Sequence, residues 1–271
     1  MSRAEWIGVV CLPAALLLSF VDVRLSFIPL GLFLISCAVL PFFPRSSFFL
    51  PVISRGSSGK RAVSLTFDDG PDPLSTPELL ALLSAHGVKA TFFVTGQRAL
   101  AHPELMREIL SQGHTLGNHT YSHDCLFALR STKRMLQEIE STQNILRGLG
   151  IRTLVFRPPV GIASPRLRRI MRQMDAMVIG FSCRAFDRGN RCVGGLAKKI
   201  LGRVRPDDII LLHDTRSKDH VPGSLWIEEI ESLLSGLKTK EFEVLPLSEL
   251  IGRPVMVMDQ GSGQGAVSSE Q

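Results

Sequence analysis

One tyrosine and two tryptophans are all the chain has of those residues among 271. No stretch alternates Lys and Arg with aromatic side chains, so the stacking platforms that single-stranded nucleic acid needs are missing. The formal net charge of +6 and an isoelectric point near 9.3 then suit an anionic surface or polymer, and nucleic acid is not an expected partner. Cysteines are few and odd in number, Cys11, Cys37, Cys125, Cys183 and Cys192, with no C-x-x-C pair. That argues against a disulfide framework and against a zinc knuckle. Cys183 and Cys192 read as reduced structural thiols. No D-x-D pair or glycine-rich phosphate cradle accompanies the acidic residues near position 68, which disfavours a phosphoesterase. There is no internal repeat, and no small-x-small cleavage site follows the first apolar run.

What the chain does have is apolar length at its start. Mean hydropathy is +0.18 although 21% of residues are charged, so apolar residues must be concentrated, and residues 6 to 43 hold them. Trp6 to Val21 is one run, broken after it by Asp22 and Arg24, and Leu25 to Phe43 is a second. Each approaches the roughly 20 residues that cross a bilayer as a helix. The first is short and contains Pro13, and the second ends at Pro41 and Pro44 before Arg45. A signal peptide is the competing reading, with Arg3 as its positive end and Leu16 to Leu18 as its apolar core. A lipoprotein box at Leu34 to Cys37 is a minority one. If both runs span, Arg3, Arg45, Arg55, Lys60 and Arg61 share one end, and the positive-inside bias puts the following domain in the cytoplasm; if only the second spans, the domain faces outward. Residues 1–53 are thus expected to be a plasma-membrane anchor of one or two helices, and 54–60, rich in small residues, a linker.

After the linker, short apolar strands alternate with amphipathic helices. Strands are expected near Ala62 to Phe67, Ala90 to Val94, Thr115 to His119, Leu154 to Arg157, Met177 to Ser182, Asp208 to His213 and Phe242 to Pro246. Thr76 reads as the N-cap of one helix with Pro77 first inside it and Gly87 at its stop. Ser131 to Gly148 is another, buried through Met135, Leu136, Ile139, Ile145 and Leu146. Strict alternation implies an α/β fold with a parallel sheet, and about seven units fit a distorted (β/α) barrel better than an open doubly wound sheet. The domain is expected over 61–252, and the glycine- and glutamine-rich residues 253–271 are expected to be a disordered tail.

The polar residues fall at one end of those strands. Asp68 and Asp69 follow the first, His119 and His123 the third, Arg157 the fourth, Asp187 the fifth and His213 the sixth. In a parallel barrel this is the face where active sites are built. His119 and His123 have a separation that lets two imidazoles share a cation. A carboxylate from Asp68 or Asp69 would complete a three-ligand set with an open position, leaving the other as general base and His213 as acid. The remaining histidines, His86, His102, His114 and His220, lack ligand-spaced partners, and Asp72 and Asp214 read as turn or supporting residues.

Thr66-Phe67-Asp68-Asp69-Gly70, His119-Thr120-Tyr121-Ser122-His123, Arg157-Pro158-Pro159-Val160-Gly161, the segment ending in Asp187, and Leu211-Leu212-His213-Asp214 resemble the ordered motifs of the polysaccharide deacetylase family (NodB-homology, carbohydrate esterase 4). The resemblance covers about residues 61 to 250. It implies a distorted barrel of about seven strands, with Asp69, His119 and His123 holding a divalent ion. Zn²⁺ is the first choice, with Co²⁺, Mn²⁺ or Ni²⁺ as alternatives. It implies Asp68 as the base toward the attacking water, Arg157 as its orienting partner, and His213 as an acid held by Asp187. It implies Pro159 and the Val160 backbone N–H beside the oxyanion, and Leu211 lining the acetyl pocket. Val160 replaces a common Tyr, and Phe181 and Arg188 stand where Trp residues are usual, so the sugar-stacking surface differs. The expected activity is metal-dependent removal of N-acetyl groups from amino sugars of a polysaccharide, peptidoglycan or glycolipid. The alternatives are O-deacetylation on the same scaffold and a non-catalytic membrane-tethered glycan binder.

Overall fold

The computed structural model describes residues 2–43, 46–187, 189–216 and 223–259. Arg188, His220 and the tail from Gln260 onward lie outside the described residues. The chain begins with two antiparallel helices, α1 (Arg3–Ser19) and α2 (Val23–Val39). Ser2 and Glu5 form a capping box on α1, and Asp22 caps α2. The buried stripe of α1 is Ala4, Gly8, Cys11 and Ala15, and the missing side chain at Gly8 leaves room for the Phe33 ring of α2. Most of the large apolar side chains on the pair are turned outward, with Leu17 68% and Phe20 82% exposed. By length and composition one helical segment, Val23–Phe42, with a mean hydropathy of 2.2, is suited to crossing a membrane.

The strands are β1 (Val52–Ile53), β2 (Ala62–Asp68), β3 (Thr91–Val94), β4 (Thr115–Asn118), β5 (Ile151–Thr153), β6 (Val155–Phe156), β7 (Met177–Ile179), β8 (Cys183–Arg184), β9 (Asp208–His213), β10 (Glu243–Val244) and β11 (Met256–Met258). Between them run α3 (Ser75–Ala85), α4 (Gly96–Ala101), α5 (Pro103–Ser111), α6 (Thr132–Gly148), α7 (Pro165–Met174), α8 (Leu196–Leu201), α9 (Gly223–Thr239) and α10 (Leu247–Ile251). The main sheet is parallel in the order β1-β7-β6-β4-β3-β2-β9-β8, with β10 joined to the start of β2. Residues 177–184 change partners midway: β7 pairs with β6 and β1, and β8 pairs with β9. Between these halves Gly180 N–H donates to Ile53 O and Ser182 N–H to Ile209 O. The sheet therefore curls into a distorted, incompletely closed α/β barrel, as the alternating pattern predicts.

Strand alternation sorts two cores. Val63, Leu65, Phe67, Phe92, Val94, Ile210 and Leu212 pack outward under α3, α5, α8 and α9. Ala62, Phe93, Val155, Ile179, Phe181, Ile209 and Leu211 fill the barrel, closed at the strands' amino ends by Leu247, Leu250 and Ile251 of α10. Gly117 is required here because a Cβ would sit 2.5 Å from the Phe93 ring.

Four local expectations change. Helix α3 begins at Ser75, and Thr76 Oγ1 does not cap it but donates to Asp214 Oδ2; the orphan N–H groups of Leu74 and Ser75 are taken by Asp72 Oδ1. The expected linker is bonded to the barrel floor, since Gly56 N–H donates to Asp207 O, Ser57 N–H to Leu250 O and Ser58 N–H to Asp207 Oδ1. Within the expected tail, Met256–Met258 forms β11, antiparallel to β5. The expected fifth strand is interrupted at Gly180 and Phe181, where the partner changes.

Candidate active site

The carboxyl ends of β2, β4, β6 and β9 carry the site. Side chains alternate, so Ser64, Thr66 and Asp68 of β2 point into the barrel in register with Ile209, Leu211 and His213 of β9. Asp69 then takes a left-handed backbone (φ 73°), which turns the second carboxylate to a different neighbourhood. Consecutive acids are thereby separated. Asp68 Oδ1 accepts a 2.6 Å bond from Arg157 Nη1, whereas Asp69 Oδ1 lies 3.4 Å from His119 Nε2 and 3.2 Å from His123 Nε2.

His119 is fixed from behind, its Nδ1–H donating to Arg157 O at 2.7 Å, which leaves the Nε2 lone pair facing Asp69. Thr120 and His123 also have positive φ, bringing the two imidazole centroids to 5.0 Å. Candidate ligand atoms of Asp69, His119 and His123 all lie within 4.8 Å of one another. Asp69 Oδ1 is buried and makes no hydrogen bond. An orphaned carboxylate oxygen beside two ring nitrogens is the donor set that a divalent cation satisfies, so the residues fit a metal.

Charge follows this geometry. For Asp69 burial opposes ionisation, but the adjacent His119, with His123 and His213, holds its carboxyl far below the usual range. His119, despite its burial, is pushed up by Asp68 and Asp69, and a cation would compete with that proton for Nε2. His123 is pushed down by burial and by His119.

Arg157 is the largest fully buried side chain. Its guanidinium lies 4.1 Å from the Phe93 ring centre and gives three further N–H donors to Thr66 Oγ1, Ile179 O and Gly180 O. Across the site, His213 Nδ1–H donates to Asp187 Oδ2 at 2.7 Å, which leaves Nε2 as the free ring nitrogen. Burial lowers the affinity of His213 for a proton, yet the bond to Asp187 outweighs it and raises the ring to about 9. Pro159 is buried, Val160 stands 53% exposed in a short turn with φ 52°, and Leu211 is buried on the inward face two residues before His213. All ten expected site residues thus lie at or just behind one rim.

Sequence reading missed two of the supports, Glu138 and Asn190, and named a third, Asp214, only as a turn or supporting residue. Glu138 of α6, 3% exposed, accepts from the N–H groups of Tyr121 and Ser122 and from Ser122 Oγ, shaping the loop between the two histidines. A charge beside Ile139 on that helix's apolar stripe was the available signal. Asn190 donates to His213 O and Thr215 O. Asp214, fully buried between Ser75 and Thr76, is pushed up by burial to about 7, and a Cβ at Gly70 would collide with it. The expected structural histidines behave as such where described: His86 pairs with Glu231, and His114 Nδ1 accepts from Ala90 N–H.

The polysaccharide deacetylase family profile matches residues 55–179. A peptidoglycan-N-acetylglucosamine deacetylase of Bacillus cereus is 33% identical over 193 residues, 70% of this chain and 69% of the relative. A chitooligosaccharide deacetylase of Sinorhizobium fredii is 35% identical over 177 residues, 65% of this chain and 82% of the relative. Among solved structures, the Bc1960 peptidoglycan N-acetylglucosamine deacetylase bound to 4-naphthalen-1-yl-N-oxidanyl-benzamide superposes with a TM-score of 0.68 at 33% identity, covering 75% of this chain and 94% of that one. Fold, rim chemistry and these likenesses agree, and the chain belongs to the polysaccharide deacetylase family.

Proposed function

We propose that the protein hydrolyses N-acetyl groups on amino sugars, with Asp69, His119 and His123 holding one Zn²⁺ and Asp68, Arg157, Asp187 and His213 managing protons. The observation that carries this reading is the division of labour between neighbouring carboxylates: Asp68 is committed to Arg157, while Asp69 faces two imidazole nitrogens. A divalent ion there supplies Lewis-acid activation of water and of the acyl oxygen. Asp68 accepts the proton of the attacking water through the oxygen not engaged by Arg157. Oxygen adds to the acetyl carbon, and the Val160 N–H and Pro159 border the resulting oxyanion. His213, charged through its bond to Asp187, gives its Nε2 proton to the sugar nitrogen as the C–N bond breaks, releasing acetate and an amine. Leu211 bounds the methyl group.

The paired apolar helices support a plasma-membrane anchor. A hairpin keeps both its ends on one side, and Arg3, Arg55, Lys60 and Arg61 gather there, so the positive-inside bias favours a cytoplasmic domain. Acetate release by the full-length, Zn²⁺-loaded protein from acetylated chitooligosaccharides and peptidoglycan tests the chemistry. Asp68→Asn should lower the rate by about 10²- to 10⁴-fold with metal retained, and His123→Ala should lose metal and rate together. Activity that survives both substitutions would overturn the assignment.

A further inference from the structure

The barrel's incomplete closure leaves a groove of about 460 Å³ where residues 181–186 pass between the two ends of the sheet, a size within the small-molecule range of roughly 300–1,000 Å³. Its walls are unusual for this protein in combining aromatic faces with guanidinium groups. Phe43, Phe181 and Phe186 supply the apolar side, and Arg55, Arg184, Arg203 and Arg205 the charge. One carboxylate lines the groove, Asp208, and it is consumed by Arg55 at 2.6 Å. Arg184 sits over both rings, its guanidinium carbon 4.1 Å from the Phe186 ring centre and 5.2 Å from that of Phe181. Arg203 and Arg205 are exposed and make no ion pair among the described residues, so the groove carries uncompensated positive charge.

Position gives the charge a meaning. Phe43 closes the turn that ends α2, and with Pro41 it also lines a small crevice against Arg157, Pro158 and Phe181. The end of the apolar helix pair is therefore set beside the back wall of the site. Phe186 directly precedes Asp187, the partner of His213, so the groove runs from the membrane end of the molecule to the acid side of the rim.

Resting on the deacetylase reading above, we infer that this groove seats the phosphoryl end of a lipid-carried glycan, which makes the substrate a membrane-held sugar (di)phosphate rather than a free polymer. Arg203 and Arg205 bind the phosphoryl oxygens, since guanidinium forks match that geometry. The phenylalanine side receives the first apolar carbons of the carrier, and the sugar extends past Phe186 toward His213 and Asp69.

Full-length protein in phosphatidylcholine nanodiscs should bind fluorescent farnesyl diphosphate, and the double variant Arg203→Gln/Arg205→Gln should bind it about tenfold or more weakly, as loss of two charge-assisted contacts requires. With prenyl-diphosphate-linked N-acetylglucosamine the same variant should raise KM by a similar factor at unchanged kcat, while turnover of acetylated chitooligosaccharide stays at the wild-type level. Equal probe binding by variant and wild type would overturn the site, as would a proportional loss on chitooligosaccharide. Displacement of the probe by inorganic pyrophosphate or phosphatidylglycerol as readily as by unlabelled farnesyl diphosphate would reduce the groove to a general anion patch and overturn the lipid carrier. Failure of the wild type on every acetylated sugar, with probe binding intact, would fail the deacetylase reading instead.

Discussion

The helix pair and the barrel are both rich in leucine and phenylalanine, yet they dispose of them in opposite ways. In the barrel, Leu65, Phe67, Phe92 and Leu212 are essentially inaccessible, and Thr66 and Arg157, two of the polar side chains admitted to the interior, are bonded to partners there. On the hairpin the apolar side chains face outward, and Ala4, Gly8, Cys11 and Ala15 meet the neighbouring helix instead. The same residue types are thus turned inward where they come in short runs broken by polar residues, and outward where they run on without interruption. The two regions meet at narrow contacts, the Glu5–Arg168 pair at 2.7 Å and the bond from Ala4 N–H to Phe48 O among them.

The sharpest way to test this contrast is to damage each region and read the other. Arg157→Ala strands Asp68 in the interior and empties the layer above Phe93. Thermal or urea unfolding should show a loss of about 3–5 kcal/mol, as breaking a buried pair does, with membrane retention unchanged. A smaller and purely electrostatic effect should follow Asp187→Asn. His213 has a folded value raised to about 9 from an ordinary 6.5, so its charged form and the stability it contributes are fully present below pH 6.5 and are lost as the pH rises through 9. The alkaline limb of kcat/KM should lie near that value and move down by about one unit or more in the variant; a limb that stays in place would separate His213 from the acid role. The least effect on the domain should come from Leu16→Ser with Leu17→Ser. These side chains are 61% and 68% exposed, so the unfolding midpoint of the domain should stay put while partitioning into membranes falls. A shared loss of stability would show that the hairpin is part of the domain's core.

Sequence alone was enough for the strand–helix alternation, because each buried strand shows as a short apolar run and each rim residue follows one. For the candidate metal trio the residues alone gave His119, His123 and a carboxylate from either Asp68 or Asp69; the family resemblance chose Asp69, and the structure brings candidate ligand atoms of these three within 4.8 Å of one another. Sequence failed where partners are remote. Strands β5 and β11 have three residues each and meet across about a hundred positions, too short for periodicity to register. Thr76 has the identity of a helix cap, but a buried Asp214 competes for its hydroxyl, and nothing near Thr76 in the chain reveals that. Glu138 looks like one more charge on an amphipathic helix until the loop it holds is seen from the other side.

The segment after the anchor adds a last consequence. Val52 and Ile53 are laid into the sheet beside Val178 and Ile179, and Ser47 Oγ accepts from Val52 N–H. If the helix pair is the membrane anchor proposed above, the catalytic unit is stapled to it and does not swing on a leash, and a flexible chain's sweep of radii is replaced by one working height above the bilayer. An enzyme so mounted would act as a gauge, trimming sugars presented at its own level and passing over those held nearer or farther.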